Sequence, residues 1–425
     1  MTDQDAGQAR AMALAEGLFD ALREASLDPP GVSRASYGPG ERAAHALARA
    51  AAEALGLECR ADPVGTLFMT LPGADRALPP VMIGSHLDAV PHGGNFDGAA
   101  GVVMGLALAA RLLAEGRRLP RDLVVLGIRA EEMCWFPAHY LGSRAAFGLL
   151  PRDAPDALRR TDSGRTLAEH MAEEGFDPDF IRAGRASLDP ASIHAFVEPH
   201  IEQGPALVAA GLPCAVVTGI RGSVRHPRCR ARGAWDHAGA VPRAHRQDAV
   251  LATAHLAATM EAFWNRAEAA GRDLVVTMGE FWTLPAMHGP TKVPGEVAFS
   301  LDIRSEDDAV LDEAFALMGE VAEAVRRDRR VTLDYGAGMR AAPARMDPRL
   351  RAALRAGAAA AGVPVAEMAS GAGHDCATFA GRGVPSAMLF IRNANGSHNP
   401  AEAMAMEDFG AALSVLHAAI GRIAA

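Results

Sequence analysis

Residues 81–128 read VMIGSHLDAVPHGGNFDGAAGVVMGLALAARLLAEGRRLPRDLVVLGI. The order of elements in this stretch decides the fold. Val81–Ile83 is a short apolar β-like run that leads into a glycine-rich loop. Gly98–Glu115 is small and apolar, and reads as a buried helix. Asp122–Ile128 is a continuous apolar run of strand length, as expected of a central parallel strand. Strand, loop, helix and strand in this order predict a doubly wound α/β core. Open α/β sheets bind ligands beyond the carboxyl ends of their strands. The loop after Ile83 is therefore the first place to look for chemistry.

Outward from this stretch, helices are expected over residues 8–26 and 40–55, with a strand at Gly65–Leu71. From Cys214 to Tyr335 the rhythm changes. A β-like stretch (Cys214–Arg232) precedes a helix (Gln247–Ala269). Strands Asp273–Thr283 and Gly295–Arg304 follow, then a helix (Asp307–Arg326) and a strand (Arg330–Tyr335). This β-α-β-β-α-β order predicts a compact α+β module. The α/β pattern then resumes with a helix at 347–361, a glycine-rich loop at 370–375 and a strand at Ser386–Ile391. The expected organisation is an α/β domain (1–213 and 336–425) interrupted by an inserted domain (214–335).

Composition supports a folded chain of more than one domain. The chain has 425 residues, 49% hydrophobic and 22% charged, which excludes wholesale disorder. Its net charge of −9 argues against an electrostatic nucleic-acid binder. No apolar run is long enough to span a bilayer, and the polar opening MTDQDAGQAR does not read as a signal peptide. The five cysteines are scattered and odd in number, with no CxxC pair, which predicts a reducing cytoplasm. Each reads as a small buried apolar residue, although Cys134 and Cys376 fall inside the motifs below. The chain holds a single lysine, Lys292.

Polar residues gather at the ends of the apolar runs. His86, Asp88 and Asp97 lie in the loop after Ile83, in a setting that suits a metal site. The plainer alternative is a polar loop with Asp97 as the N-cap of the next helix. Glu131 and Glu132 follow the strand 122–128; adjacent carboxylates repel and call for a counter-charge, unless solvent bathes them. His200 and Glu202 would share a face if their segment is extended. Ser370–Asp375 and Gly396–Pro400 complete the set, and place His374 and His398 in glycine-flanked loops. The inserted domain adds GAWDHAGAVP (233–242) and Asp302-Ile303-Arg304. Arg304 suits bidentate capture of a carboxylate, or else pairs with a structural Asp.

The ordered motifs are GSHLDAVPHGGNFDGAAGV, AEE at 130–132, HIEQGPAL, HAGAVP, VPGEV, LDIR, SGAGHDCATFA and GSHNPAE. On these, the chain from about residue 40 onward resembles the metal-dependent amidases of the N-carbamoyl-L-amino-acid hydrolase, β-ureidopropionase and allantoate amidohydrolase group. That group belongs with the dinuclear aminoacylases and carboxypeptidases. The resemblance implies a dinuclear zinc-aminopeptidase-like α/β catalytic domain with an inserted lid and dimerisation domain. It implies two divalent ions, zinc as a rule and manganese, cobalt or nickel in some members. His86 binds one ion and Asp97 bridges the two. Glu132 and His200 each bind one, and His398 the other. Glu131 becomes the general base, Asp88 orients His86, and His237 donates to the oxyanion, in some relatives from the partner subunit of a homodimer. Arg304 holds the substrate carboxylate, with Gln203 and His374 as further contacts.

The implied reaction is hydrolysis of the C–N bond of a linear amide, foremost an N-carbamoyl-L-amino acid or other ureido acid. Allantoate, N-acyl amino acids and dipeptides are rival substrates on the same ligands. A non-catalytic binding member is disfavoured because no expected ligand is missing. Two departures stand out. Met133-Cys134-Trp135-Phe136 replaces the family's Gly-Ser-Arg-Phe, which is expected to set bulky side chains beside the site. Lys292 stands where the family carries a substrate-contacting Asn, and suggests a substrate with an extra acidic group; a lysine pointing to solvent is the alternative.

Overall fold

The computed structural model describes residues 3–425, with side chains from residue 6. Met1 and Thr2 of the polar opening lie outside the described residues. The chain forms two compact units, residues 1–218 with 346–425, and residues 219–345. The crossings lie five and ten residues beyond the expected 213/214 and 335/336. For the first crossing the reason is that Cys214–Val216 pair with Leu389–Ile391 in the first unit's sheet.

In the first unit the sheet runs, in spatial order, Glu58–Ala61, Leu67–Leu71, Leu123–Ile128, Val81–His86, Ala195–Ile201, Ser386–Ile391 and Cys214–Ile220. The block from Leu123–Ile128 to Ser386–Ile391 is parallel. Antiparallel pairs close both sides of it. The result is a mixed α/β sheet. Leu123–Ile128 thus borders the parallel block and is parallel on one side only, contrary to the expectation of a central strand. Its unbroken apolar run reports burial of all six residues, not the direction of its neighbours.

The helix Ala99–Ala114 is buried along nearly its whole length. Small residues let it approach the sheet closely: a Cβ on Gly101 would lie 2.4 Å from the Pro199 carbonyl oxygen. Helices Asp3–Ala25, Pro39–Ala54, Pro348–Ala361 and Met406–Ile423 complete the layers around this core. The strand expected to stop at Ile83 continues to His86, and Ala89–Gly93 forms a further strand. Three parallel strands, ending at His86, Ile128 and Ile201, point their carboxyl ends the same way.

The second unit is an antiparallel sheet built on Gly222–Arg232 and Glu296–Ser305. Val275–Thr277 and Phe281–Thr283 flank one side, Thr332–Asp334 and Met339–Ala341 the other. The expected single β-stretch 214–232 is two strands, broken at Arg221. Helices Ala249–Ala269 and Asp308–Arg329 share a core with this sheet, including Leu256, Met260, Phe299 and Met318. Asp248 and Asp307 cap the two helices by accepting backbone N–H groups. No helix among the described residues is long and apolar enough to cross a membrane.

Candidate metal centre

The ends of the parallel strands deliver the site. His86 is the last residue of its strand, and its Nδ1 faces the Asp88 carbonyl at 3.1 Å and carboxylate at 3.3 Å. That places the proton on Nδ1 and leaves Nε2 bare, 3.7 Å from Asp97 Oδ1. His200 does the same: Nδ1 donates to the Ile201 carbonyl at 2.8 Å, and Nε2 is buried with no hydrogen-bond partner. It lies 3.2 Å from Asp97 Oδ1. On the far side of Asp97, His398 Nε2 is 3.2 Å from Oδ2 and 3.5 Å from Glu132 Oε1, another buried oxygen without a donor.

Four groups among the described residues could hold a cation: His86–Asp97–His200 and Asp97–Glu132–His398, which share Asp97, and His86–Glu131–Glu132 and Glu198–His200–His374 beside them. Three imidazole Nε2 atoms converge on the Asp97 and Glu132 carboxylates, and His200 Nε2 and Glu132 Oε1 are buried without a hydrogen-bond partner. Buried polar atoms of these types left unpartnered at one point fit a metal. All five ligand candidates read from the sequence come together here.

Local backbone serves this geometry. Gly98 has φ 65°, and a Cβ there would lie 2.4 Å from the His86 ring, so no other residue fits. Ala130, Gln203 and His398 adopt left-handed φ of 54°, 63° and 59°, each beside or within the cluster. Strained residues of this kind persist where surrounding contacts over-determine them. Asp97 is not the helix N-cap: that position is Gly98, and the Asp97 carboxylate accepts from Gln203 Nε2 at 2.8 Å and lies 2.6 Å from Ser397 Oγ.

Electrostatics set the two glutamates apart from Asp97. Burial pushes Glu132 up to about 7, with Asp97 adding to the effect. Burial also raises Glu131 well above the carboxylate range, opposed by His86 and reinforced by Glu132. Burial acts on Asp97 in the same sense, yet its contacts with His200 and His398 hold it well below that range. Asp88 accepts the backbone N–H groups of Glu131 and Glu132, each at 3.1 Å, as well as the Ser36 hydroxyl.

A comparison with known proteins decides the family. The model for peptidase family M20/M25/M40 matches residues 82–422. The chain belongs to peptidase family M20/M25/M40. It is 34% identical over 398 residues to the N-carbamoyl-L-amino-acid amidohydrolase of Paenarthrobacter aurescens, covering 92% of this chain and 93% of that one. It is also 34% identical over 372 residues to the allantoate amidohydrolase of Escherichia coli, covering 85% and 86%. A hydantoinase/carbamoylase family amidase from Burkholderia multivorans superposes with a TM-score of 0.86 at 28% identity, over 98% of each chain. This M20 protein is an amidohydrolase.

The other expected site residues of this M20 enzyme are placed as follows. His374 is buried, its ring centroid 4.3 Å from that of His200 and its Nε2 2.9 Å from Ser370 Oγ. Burial, then the neighbouring His200, keeps its pKa well below the usual value, so the ring is neutral. Glu202 does not share His200's face. The strand ends at Ile201, and Glu202 turns to accept the N–H groups of Ala206 and Leu207. Trp135 does not stand open beside the site: it is buried and donates its indole N–H to the Ala89 carbonyl at 2.9 Å. Met133 and Cys134 are exposed.

In the second unit, the exposed His237 accepts the N–H groups of Gly239 and Ala240 on Nδ1, at 3.1 and 3.0 Å. Its neutral form therefore carries the proton on Nε2. Arg304 Nε and Nη2 donate to Asp302, the structural partner weighed from the sequence. Lys292 Nζ donates to the Met287 carbonyl at 2.9 Å.

Asp375, the end of the cluster Ser370–Asp375, accepts from Ser143 Oγ. Two buried carboxylates were given no role in the sequence reading, and the first, Glu198, accepts from Ser85 Oγ and the Cys376 N–H. Glu402 accepts the N–H groups of Phe96 and Asp97, and its other oxygen lies 2.6 Å from Ser397 Oγ, whose single proton serves either Glu402 or Asp97. The signal was a carboxylate within an otherwise apolar strand, AFVEPHI, and the glutamate closing GSHNPAE.

Proposed function

We propose that this enzyme hydrolyses the C–N bond of a linear ureido acid, foremost an N-carbamoyl-L-amino acid, to amino acid, ammonia and carbon dioxide. The observation that carries the reading is the pair of ligand sets sharing Asp97, with Glu131 adjoining them. His86, Asp97, Glu132, His200 and His398 would hold two divalent ions, zinc as a rule, which when bound would supply a lowered water pKa and a polarised carbonyl. Glu131 takes the proton of the attacking water and delivers it to the leaving nitrogen. Its place beside His86 and Glu132 suits that double role. Asp88 fixes the His86 tautomer and holds the backbone of both glutamates.

The residues of the second unit complete the reading. His237 presents Nε2–H as the donor to the oxyanion, a tautomer that the Gly239 and Ala240 N–H groups favour. Arg304 binds the substrate carboxylate by exchanging it for Asp302. Gln203 and His374 are further contacts on the first unit. The inserted unit acts as lid and homodimer contact, and exposed Phe281 and Trp282 on an outer strand suit the latter. The five cysteines are all free, in keeping with a reducing cytoplasm. Allantoate is the second reading, favoured by the equal identity to an allantoate amidohydrolase.

The test is turnover by the metal-reconstituted enzyme of N-carbamoyl-L-amino acids, N-carbamoyl-β-alanine, allantoate and N-acetyl amino acids, following ammonia and free amine. Hydrolysis of one ureido acid, lost in Glu131→Gln, supports the reading. Activity confined to N-acetyl amino acids overturns it.

A further inference from the structure

Glu41 lies far from the motifs and was not singled out by any of them. It sits in the first turn of the helix Pro39–Ala54 and is fully buried. A buried carboxylate needs partners, and Glu41 has three. Oε2 accepts the Tyr37 N–H at 2.7 Å and Arg129 Nη1 at 2.8 Å. Oε1 accepts the Ala130 N–H at 2.9 Å. Arg129 is itself held: Nε donates to the Gly65 carbonyl at 3.1 Å, and the guanidinium lies over the Phe176 ring at 4.7 Å.

These contacts fall where the chain leaves the strand Leu123–Ile128 and turns into Glu131-Glu132. The turn is made by Ala130 in a left-handed conformation, which an alanine adopts only under constraint. Three consecutive N–H groups, those of Ala130, Glu131 and Glu132, go to two buried carboxylates, Glu41 and Asp88. The Ala130 carbonyl accepts from the Leu141 N–H at 3.0 Å. The ribbon carrying both glutamates is therefore gripped from one side by Asp88 and from the other by Glu41.

We propose that Glu41 is a positioning residue for hydrolysis: with Arg129 it holds the left-handed turn at Ala130 that aims Glu131 at the reacting water. The proposal rests on Glu131 being the base. Glu41 touches neither substrate nor metal ligand side chains. It acts through one peptide group.

The experiment uses the full-length, metal-reconstituted enzyme and two variants. Glu41→Gln keeps the shape but cannot satisfy all three donors. Its kcat per metal-loaded enzyme should fall by about tenfold, a fraction of the roughly 10²–10⁴ that a well-placed base supplies. KM should stay within about twofold, because substrate contacts are untouched. The double variant Glu41→Gln/Ala130→Gly should regain at least about threefold in kcat, because glycine takes the left-handed turn without a clamp. Recovery of this kind is not expected of a residue that only stabilises the fold, since kcat per metal-loaded enzyme counts folded molecules alone. Unchanged kcat in Glu41→Gln, or loss that Ala130→Gly leaves untouched, overturns the proposal. Glu131→Gln separates the two readings. If Glu131→Gln stays active, the base assignment falls and takes this proposal with it. If Glu131→Gln is dead while Glu41→Gln turns over normally, only the role of Glu41 falls.

Discussion

The two units bury very different things. In the second, the buried interior is almost wholly apolar, and its ion pairs are part-buried, such as Arg221–Asp273, or exposed, such as Arg272–Glu313 and Arg340–Asp312. In the first, the same kind of apolar core supports a layer of buried charge: Glu41, Asp88, Asp97, Glu132, Glu198, Asp375 and Arg34. Exposed pairs add little to stability, whereas buried ionisable groups carry a desolvation cost that must be offset by partners. A chain that tolerates such a layer in one unit and avoids it in the other has a use for it there. The contrast locates the chemistry without reference to any motif.

The sharpest way to break this comparison is to neutralise the charge and ask which property suffers. Glu131→Gln should lower kcat by about 10²–10⁴. Stability should hold or rise, because the variant removes a carboxylate that burial already disfavours. Steady-state kinetics and thermal unfolding on one preparation check both halves. A parallel loss of fold and activity would mean that the charged layer is structural.

Metal removal should rank next. Ions bound only by the folded chain contribute about 2.7 kcal/mol when present at about 100 times their dissociation constant. Chelation should therefore lower the melting temperature. Hydrogen exchange should rise around residues 95–98, 131–132 and 396–400, where the ligand side chains would repel one another. Helices Ala249–Ala269 and Asp308–Arg329 should keep their protection, since their core holds no ligand. Uniform loss of protection across both units would erase the distinction.

How much of this was legible follows the same division. The alternation of apolar runs and glycine loops revealed the α/β core, and each candidate ligand stands at a strand end or in a glycine-flanked loop. What could not be read was direction and partnership. Nothing local in DLVVLGI tells that its neighbour Leu67–Leu71 runs antiparallel. The two-residue spacing of His200 and Glu202 implied a shared face, but the strand stops between them and Glu202 becomes a helix cap. Glu41 and Glu198 were not singled out because their partners are distant in the chain: Arg129 and Ala130 for one, Ser85 and Cys376 for the other. Trp135 was read by its neighbourhood in sequence, while its burial depends on the Ala89 carbonyl.

A smaller effect tests the charged layer away from the base. Burial, then Glu198, pushes Asp375 up to about 8 in the folded protein. A carboxylate whose pKa is raised on folding stabilises the protein fully below its unfolded value, about 3.9. That contribution is lost as pH rises through the folded value. The metal-free enzyme should therefore lose stability between about pH 4 and pH 8, by at most about 1.4 kcal/mol per pH unit from this group. Asp375→Asn should flatten the curve over that window and keep the bond from Ser143. Urea titrations at several pH values would check it. Equal slopes in both proteins would show that Asp375 stays ionised in the fold.

The smallest effect belongs to Lys292, and it asks whether the second unit, for all its ordinary core, contributes to recognition. Lys292 is exposed, pairs in register with His237, and donates to the Met287 carbonyl. An ammonium on a flexible stem can leave a single carbonyl at little cost. If it serves substrates with a second acidic group, Lys292→Asn should reduce kcat/KM for those several-fold, within the range of about 0.5–1.5 kcal/mol for one hydrogen bond. Substrates with a single carboxylate should be unaffected, and so should the melting temperature, because no buried group loses a partner. A panel of N-carbamoyl derivatives of aspartate, glutamate, alanine and methionine provides the ratios. Unchanged ratios would return Lys292 to the solvated surface, and would leave His237 and Arg304 as the second unit's candidates for contact with substrate.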